Sequence, residues 1–413
     1  MEKTAPLASP PSKAGAADLL AGLSVALVLI PQSMAYAELA GLPPHIGLFA
    51  STLPLVAAAL CASSPYLQTG PVAMTSLLTL GALTGLAQPE SADYVALAAL
   101  LALVVGVTRL LLGVLHLGLV TYLMTDPVVT GFTSAAAILI MCSQLPNALG
   151  MAAPDGGVLW RAGWSLGHPG DWEFLAILLA AATLALLLRG RRIHRFFPSA
   201  LVAVTGGILC SEVTGYGGPT VGEVPTGLPS MGLDLPWDEL GSVVVAGVVI
   251  ALVGFAEAAS ISRVFADEER QRWSADREFI SQGLANVAGA VVGGFPVGGS
   301  FSRSSLNRLA GARTRWSGLV TGIVVLAFLP FANVLETLPR AVLGGVVIAA
   351  VLGLIQPRKL LGLARASTGD GVVALGTFAA TLALAPHVDR AVLVGIVLAL
   401  AVRARRQRVA STG

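Results

Sequence analysis

The chain has 413 residues, of which 55% are hydrophobic and only 12% are charged, and its formal net charge at pH 7 is +2. Charged residues normally make up about 25% of a soluble domain, so a soluble globular protein is excluded. Together with a mean hydropathy of +0.80, this composition predicts an all-α polytopic membrane protein.

Apolar runs separated by Pro, Gly and charged clusters recur along the whole chain, and each bilayer crossing needs about 20 apolar residues. We count fourteen membrane segments, several of them too short to cross alone, with an amphipathic lead-in at 118–128 joined to the fifth. The predicted segments are 17–39, 46–62, 71–87, 93–114, 118–147, 171–189, 197–213, 239–262, 276–294, 300–312, 316–332, 340–356, 371–386 and 389–405. They form a transmembrane domain at 16–405 between tails at 1–15 and 406–413.

The distribution of Lys and Arg tests this count. When both tails and the loops after even-numbered segments are assigned to the cytoplasm, nearly all basic residues lie on or next to that side, with Arg303 and Arg308 left inside a segment. Arg109 is among those assigned to that side, and the exceptions are Arg161, Arg340 and Arg390. The positive-inside rule asks for such a bias, so we predict a multi-pass protein of the inner (plasma) membrane with both termini in the cytoplasm. Because topology explains the basic residues, a nucleic-acid partner is not supported.

The first segment ends in polar residues. Gln32 and Tyr36 follow Pro31 and lie four residues apart, on one face of a helix. They either line a pocket or pack in the protein interior. Glu38 comes just before the turn sequence GLPP at 41–44, where capping of free backbone amides and a part in transport are both open.

The third and tenth segments are interrupted by glycine and proline where they begin. The third opens with Gly70-Pro71-Val72-Ala73, and the tenth follows Pro296 and opens with Gly298-Gly299-Ser300-Phe301-Ser302-Arg303. Since Gly costs about 1 and Pro about 3 kcal/mol relative to Ala in a helix interior, each is predicted to be a half-helix. Gly70-Pro71 alone could be an ordinary kink. Interrupted segments at corresponding positions of two halves, however, point to a transporter binding site.

Seven segments in each half make the halves inverted in the membrane. The two half-helices are then predicted to meet near the midplane with their positive dipole ends facing one pocket. Arg303 lies one helical turn beyond the second break, and an ionisable group at that depth is a functional candidate. Free N–H groups beside a guanidinium form an anion site.

A second ionisable group, Glu257, lies in the middle of the apolar stretch VVVAGVVIALVGFAEAASIS. A carboxylate at that depth is either protonated or paired. This favours a part in proton or cation coupling, and a structural hydrogen bond is the alternative.

Four stretches resemble the signature segments of SulP anion transporters, the sulfate permease or solute carrier 26 family. They are PQSMAYAELAGLPPHIGLFAS from Pro31, TGPVAMTSLL from Thr69, VGFAEAASIS from Val253 and PVGGSFSRSSLN from Pro296. The resemblance implies a UraA-like fold of seven plus seven inverted repeats, with a core of segments 1–4 and 8–11 and a gate of segments 5–7 and 12–14. It also implies a homodimer and a cytoplasmic STAS domain after the last segment. The chain stops at RARRQRVASTG, so we expect the STAS domain to be absent.

The resemblance also implies which residues form the site. The substrate would lie between the starts of the third and tenth half-helices and would contact Gln32 and Tyr36 of the first segment. The half-helix starts would contribute Val72, Ala73, Phe301, Ser302 and Arg303. Glu257 matches the acidic position of the eighth segment, and we assign it to coupling together with Glu38.

These observations predict a secondary active transporter of small anions that works by alternating access. Proton-coupled symport of a dicarboxylate (fumarate or succinate), sulfate or bicarbonate is the leading hypothesis. Sodium-coupled bicarbonate symport, anion exchange and an uncoupled anion channel are alternatives, although only Ser260 and Ser262 offer hydroxyl ligands for sodium near Glu257. A nucleobase–cation symporter is disfavoured, because by resemblance it would carry an acidic residue at Arg303.

Catalysis is not predicted. The chain contains no HExxH, no GxSxG and no glycine-rich phosphate loop followed by Lys-Ser/Thr. Its three cysteines, Cys61, Cys142 and Cys210, lie in separate apolar segments without metal-ligand spacing. We therefore predict neither an enzyme nor a bound metal or cofactor, and the expected partners are an anion, a proton or sodium ion, and the lipid bilayer.

Overall fold

The computed structural model describes residues 15–118, 125–193, 197–229 and 231–412. The amino-terminal tail predicted at 1–15 lies almost wholly outside these residues, and so does most of the lead-in predicted at 118–128. The side chains of the carboxyl-terminal tail predicted at 406–413 also fall outside them, except that of Gln407.

The first half of the chain supplies seven membrane segments, the second of which is a pair of short helices. In chain order the helices are α1 (Ala16–Leu39), α2 (Pro44–Phe49), α3 (Leu53–Cys61), α4 (Ala73–Leu83), α5 (Ala92–Val114), α6 (Asp126–Leu149), α7 (Val158–Gly167), α8 (Phe174–Ile193) and α9 (Ser199–Thr214). The sequence did not predict α7, which lies in the connection between the fifth and sixth segments.

The second half repeats this arrangement. Its helices are α10 (Leu240–Glu268), α11 (Ala275–Val291), α12 (Phe301–Leu309), α13 (Trp316–Phe328), α14 (Arg340–Val351), α15 (Pro357–Ala366), α16 (Thr368–Ala383) and α17 (Val388–Thr412). Here α15 lies in the connection between the twelfth and thirteenth segments. Within the described residues, the fourteen predicted segments are therefore confirmed.

The segments differ in length. Seven stretches of the described chain are long and apolar enough to cross a membrane, and four further apolar helices are shorter. The half-helix α4 has 11 residues and α12 has nine. At about 1.5 Å per residue neither can span a bilayer, as predicted for segments that glycine and proline interrupt.

Each half-helix is preceded by an extended strand, and the two strands pair. Strand β1 (Gln68–Gly70) is antiparallel to β2 (Gly298–Ser300), with Thr69 opposite Gly299. Because the strands are antiparallel, the helices that follow them run in opposite directions from the place where the strands pair. Glycine at 299 lets β2 pack closely against Leu67 and against Ala258 of α10, because a Cβ there would lie 2.8 Å from Leu67 Cδ1 and 3.0 Å from Ala258 Cβ.

The helices pack in two sets. In the first set, which we call the core helices, α5 packs against α10 and α11, α3 against α11 and α13, and α1 against α12 and α13. In the second set, the gate helices, α6 packs against α14 and α16, α8 against α9 and α14, and α16 against α17. Contacts between the sets include α1 with α14 and α4 with α6 and α17.

The position predicted for one basic residue from the distribution of Lys and Arg is wrong. Arg109, predicted to lie at the cytoplasmic side, is completely buried inside α5, which continues to Val114. The prediction was wrong because the charge count uses only the position of a residue along the chain. It does not show which neighbouring groups solvate the side chain and so allow it to be buried.

Candidate functional site

A cavity of about 430 Å³ lies between the core and gate helices. On the core side it is lined by the starts of α4 and α12 and by the middle of α10. On the gate side it is lined by the first turns of α6, the end of α14 and the connection into α15. The cavity thus lies where the two half-helices begin.

The half-helix starts present backbone donors to this cavity. Val72 precedes α4 in an extended conformation, and Ser300 does the same before α12. The first N–H groups of a helix have no acceptor within it, and the positive end of the helix dipole lies at the same place. Val72, Ala73, Phe301 and Ser302 all line the cavity, so both helix ends face the same space. Such ends bind anions.

Arg303 lies behind this wall instead of in it. Its side chain is 1% exposed, and its Nη1 and Nη2 donate hydrogen bonds to Gln32 Oε1 at 2.9 Å and to the Pro71 carbonyl at 2.8 Å. Neither Arg303 nor Gln32 lines the cavity, whereas Tyr36 does. The guanidinium therefore joins α12 to α1 and to the residues before α4, and it places a positive charge beneath both half-helix starts.

Glu257 lies on the cavity wall. It is half-buried in α10, and Ser260, one turn further along, also lines the cavity. Arg303 interacts electrostatically with both Glu257 and Tyr36. The structure thus brings together the two half-helix ends, a buried cation and a half-buried carboxyl group that lines the cavity.

Glu38 lies elsewhere. Its side chain is 6% exposed at the end of α1, and its Oε1 lies 3.2 Å from Nε of Arg340, the first residue of α14. The cavity reaches the other end of α14, at Val351. Twelve helical residues rise about 18 Å, so this ion pair and the cavity lie at opposite ends of one gate helix.

The gate wall of the cavity was not predicted. Thr130 and Thr133 of α6 line it, and Asp126 and Lys359 form an ion pair with 2.7 Å between Oδ1 and Nζ. The spacing of three between the threonines puts them on one helical face, a signal that could have identified them. The ion pair had no local signal, because 233 residues separate its members.

Curated relatives show which family the chain resembles. It is 33% identical over 395 residues to a chloroplastic protein of Arabidopsis thaliana named sulfate transporter 4.1, an alignment that covers 93% of this chain and 57% of the relative. It is 34% identical over 372 residues to a probable sulfate transporter of Mycobacterium tuberculosis, covering 89% of this chain and 66% of the relative. The chain thus spans less than two thirds of the length of these relatives.

Solved structures show the fold. The transmembrane domain of the cyanobacterial bicarbonate transporter BicA matches with a TM-score of 0.79 at 24% identity, covering 93% of this chain and 96% of that one. Murine Slc26a9 in its inward-facing state matches with a TM-score of 0.87 at 22% identity, covering 96% and 70%. These matches confirm the UraA-like fold of seven plus seven inverted repeats. A sequence model described as the sulfate permease family matches residues 16–377, and the chain belongs to that family.

Proposed function

We propose that the protein is a secondary active transporter of small anions, which bind between the starts of α4 and α12. The observation that carries this proposal is the convergence of two helix N-termini on one cavity, with the Arg303 guanidinium buried behind them. Backbone N–H groups and a nearby cation select for negative charge and make few demands on ligand shape. Family membership supports the same function.

Transport would proceed by alternating access, with the core helices (segments 1–4 and 8–11) carrying the site past the gate helices (segments 5–7 and 12–14). Asp126 and Lys359 line the end of the cavity that the positive-inside rule assigns to the cytoplasm. At the opposite end the two sets meet through Glu38 and Arg340, and His387 Nδ1 lies 3.1 Å from the Gly81 carbonyl oxygen. This arrangement corresponds to an inward-open state of an inner-membrane protein with cytoplasmic termini.

The substrate we propose is sulfate, bicarbonate or a dicarboxylate such as fumarate or succinate. The relatives carry the names of sulfate transporters, and a structural neighbour is a bicarbonate transporter. A cavity of about 430 Å³ is large enough for any of these anions.

Glu257 would couple transport to protons. It is half-buried on the cavity wall, where a carboxyl group can take up a proton from the cavity and release it again. The cavity is also lined by hydroxyl groups, those of Ser260, Ser300, Ser302, Thr130 and Thr133 among them. Sodium coupling is therefore the alternative that the gradient experiment must decide.

Uptake into proteoliposomes tests the proposal. Labelled sulfate, bicarbonate, fumarate, succinate and chloride are offered in turn, with a proton gradient, a sodium gradient or neither. Proton-driven accumulation of one of these anions is the expected result. Accumulation only with a sodium gradient would indicate a sodium symporter. Uptake only when an anion has been loaded inside the vesicles would indicate an exchanger. Flux that never exceeds equilibrium would identify a channel, and no flux of any anion would overturn the function. Crosslinking in the same vesicles tests the homodimer that we also propose.

A further inference from the structure

Arg109 is a buried cation for which the proposed mechanism has no role. It is 0% exposed in α5, and its guanidinium donates three hydrogen bonds, all to backbone carbonyls. Nε reaches Ala251 at 3.1 Å, Nη2 reaches Ile250 at 3.3 Å and Nη1 reaches Val297 at 2.9 Å. Within the part of the chain that the structure describes, Arg109 forms no ion pair with an acidic side chain. Buried charges are normally paired, so carbonyl dipoles alone solvate this one.

The three carbonyls belong to two elements that carry the anion site. Ile250 and Ala251 lie in α10, and Ala251 precedes Glu257 by six residues, or about 9 Å along the helix. Val297 immediately precedes β2 and therefore leads into α12. One side chain from α5 thus fixes the position of the start of α12 relative to the helix that carries Glu257.

A second residue, Asn286, also binds the backbone of Val297. Asn286 of α11 accepts a hydrogen bond from Val297 N at 2.9 Å and donates one to the Val297 carbonyl at 3.1 Å. That carbonyl therefore accepts from both Asn286 and Arg109. Since β2 is only three residues long, fixing Val297 fixes the N-terminus of α12.

The guanidinium also lies beside the other half-helix. A Cβ at Gly254 would be 2.5 Å from Arg109 Nη2 and 3.0 Å from Cγ2 of Thr75, which lies in the first turn of α4. Glycine at 254 leaves the room in which Arg109 passes between α10 and α4. Arg109 is thus in contact with α10, next to α4 and bonded to the lead-in of α12.

We propose that Arg109 is a positioning residue for the anion site, an inference that rests on the proposed function. It holds the start of α12 in a fixed position relative to the helix of Glu257, with α4 packed alongside, so that the free N–H groups of both half-helices face the same anion. Lysine cannot replace it, because a single ammonium group lacks the planar fork that reaches three carbonyls on two elements.

Two variants test this. Arg109→Lys keeps the positive charge but loses the planar guanidinium group. Gly254→Ala keeps Arg109 but adds a methyl group in the space that its guanidinium occupies. Arg277→Gln is the matched control, because Nε of Arg277 also donates to a carbonyl, that of Cys61, at 3.0 Å, but at an exposed site away from the cavity. Monodisperse fractions of all three are titrated with sulfate and with bicarbonate, and hydrogen exchange is measured over residues 295–301.

We expect both test variants to bind the anion about tenfold more weakly, the loss that one charge-assisted hydrogen bond brings. Exchange should rise within 295–301 and stay unchanged in α16, while the control matches the wild type. Unchanged exchange at 295–301, or affinities within twofold of wild type, would overturn the positioning role. If Arg109→Lys does not fold, Gly254→Ala decides. If the wild type binds neither sulfate nor bicarbonate, the titrations are made with fumarate and succinate. If it binds none of these anions, the proposed function fails, and exchange still shows whether Arg109 fixes the segment.

Discussion

Arg303 Nη1 donates a hydrogen bond of 2.9 Å to Gln32 Oε1, and neither of these two buried residues lines the cavity. The resemblance implied that both residues contact the anion, and this stays a prediction. In the structure the bond connects α12 to α1 next to the half-helix starts. An anion in the cavity would contact the backbone N–H groups and would interact electrostatically with the guanidinium behind them.

Removing that charge is the first test. Arg303→Ala should weaken anion binding at least tenfold, since the variant loses the buried positive charge and leaves Gln32 Oε1 and the Pro71 carbonyl without their donor. Titration of the purified protein with sulfate or bicarbonate measures the effect. Arg308→Ala is the control, because Arg308 lies on the same helix but pairs with Glu268 and Glu269. Wild-type affinity in Arg303→Ala would rule out this arrangement of the site.

Filling the cavity is the second test. Val72→Trp or Ser302→Trp should stop transport, because the indole would occupy the space between the two helix starts that Val72 and Ser302 line. Initial rates of anion uptake in proteoliposomes provide the measurement. Val397→Trp, at a position that is 64% exposed on α17, should transport at the normal rate. Normal transport by Val72→Trp would show that the site lies elsewhere.

The third prediction concerns proton coupling. Glu257→Gln should abolish the acceleration of uptake by external acid while sparing exchange of anion for anion, because the amide mimics a permanently protonated carboxyl group. Uptake is recorded between external pH 5 and 8 and compared with Glu239→Gln, which changes an acid outside the cavity whose Oε2 accepts an exposed hydrogen bond from Ser242. Should Glu257→Gln keep the full wild-type response to pH, Glu257 is not the proton carrier.

The fourth prediction concerns the Glu38–Arg340 ion pair, which joins a core helix to a gate helix at the end away from the cavity. An outward-open state requires these helices to separate, so Glu38→Gln should favour that state. In a protein without native cysteines, Ala73→Cys reports on the site through labelling by an impermeant thiol reagent added outside. Faster labelling in Glu38→Gln is expected, and the exchanged pair Glu38→Arg with Arg340→Glu should restore the slow rate. Equal rates in all three proteins would contradict the assignment.

The sequence predicted the elements of the fold well because the relevant signals are local. Glycine and proline before residues 73 and 301 interrupt helices wherever they occur, and the breaks lie where they were predicted. The amphipathic helices α7 and α15 were missed, since ten polar and apolar residues between membrane segments resemble an ordinary loop.

What the sequence determined, then, was the number of segments, the positions of the two breaks and two of the ionisable groups at membrane depth, Arg303 and Glu257. The tertiary structure alone decided what those groups do. Arg303 reaches a partner 271 residues away, Glu38 pairs with Arg340 on another set of helices, and Arg109 is solvated by carbonyls from two elements. Helix breaks follow from local backbone preferences. The partners of a buried charged side chain depend instead on which distant polar groups folding brings next to it.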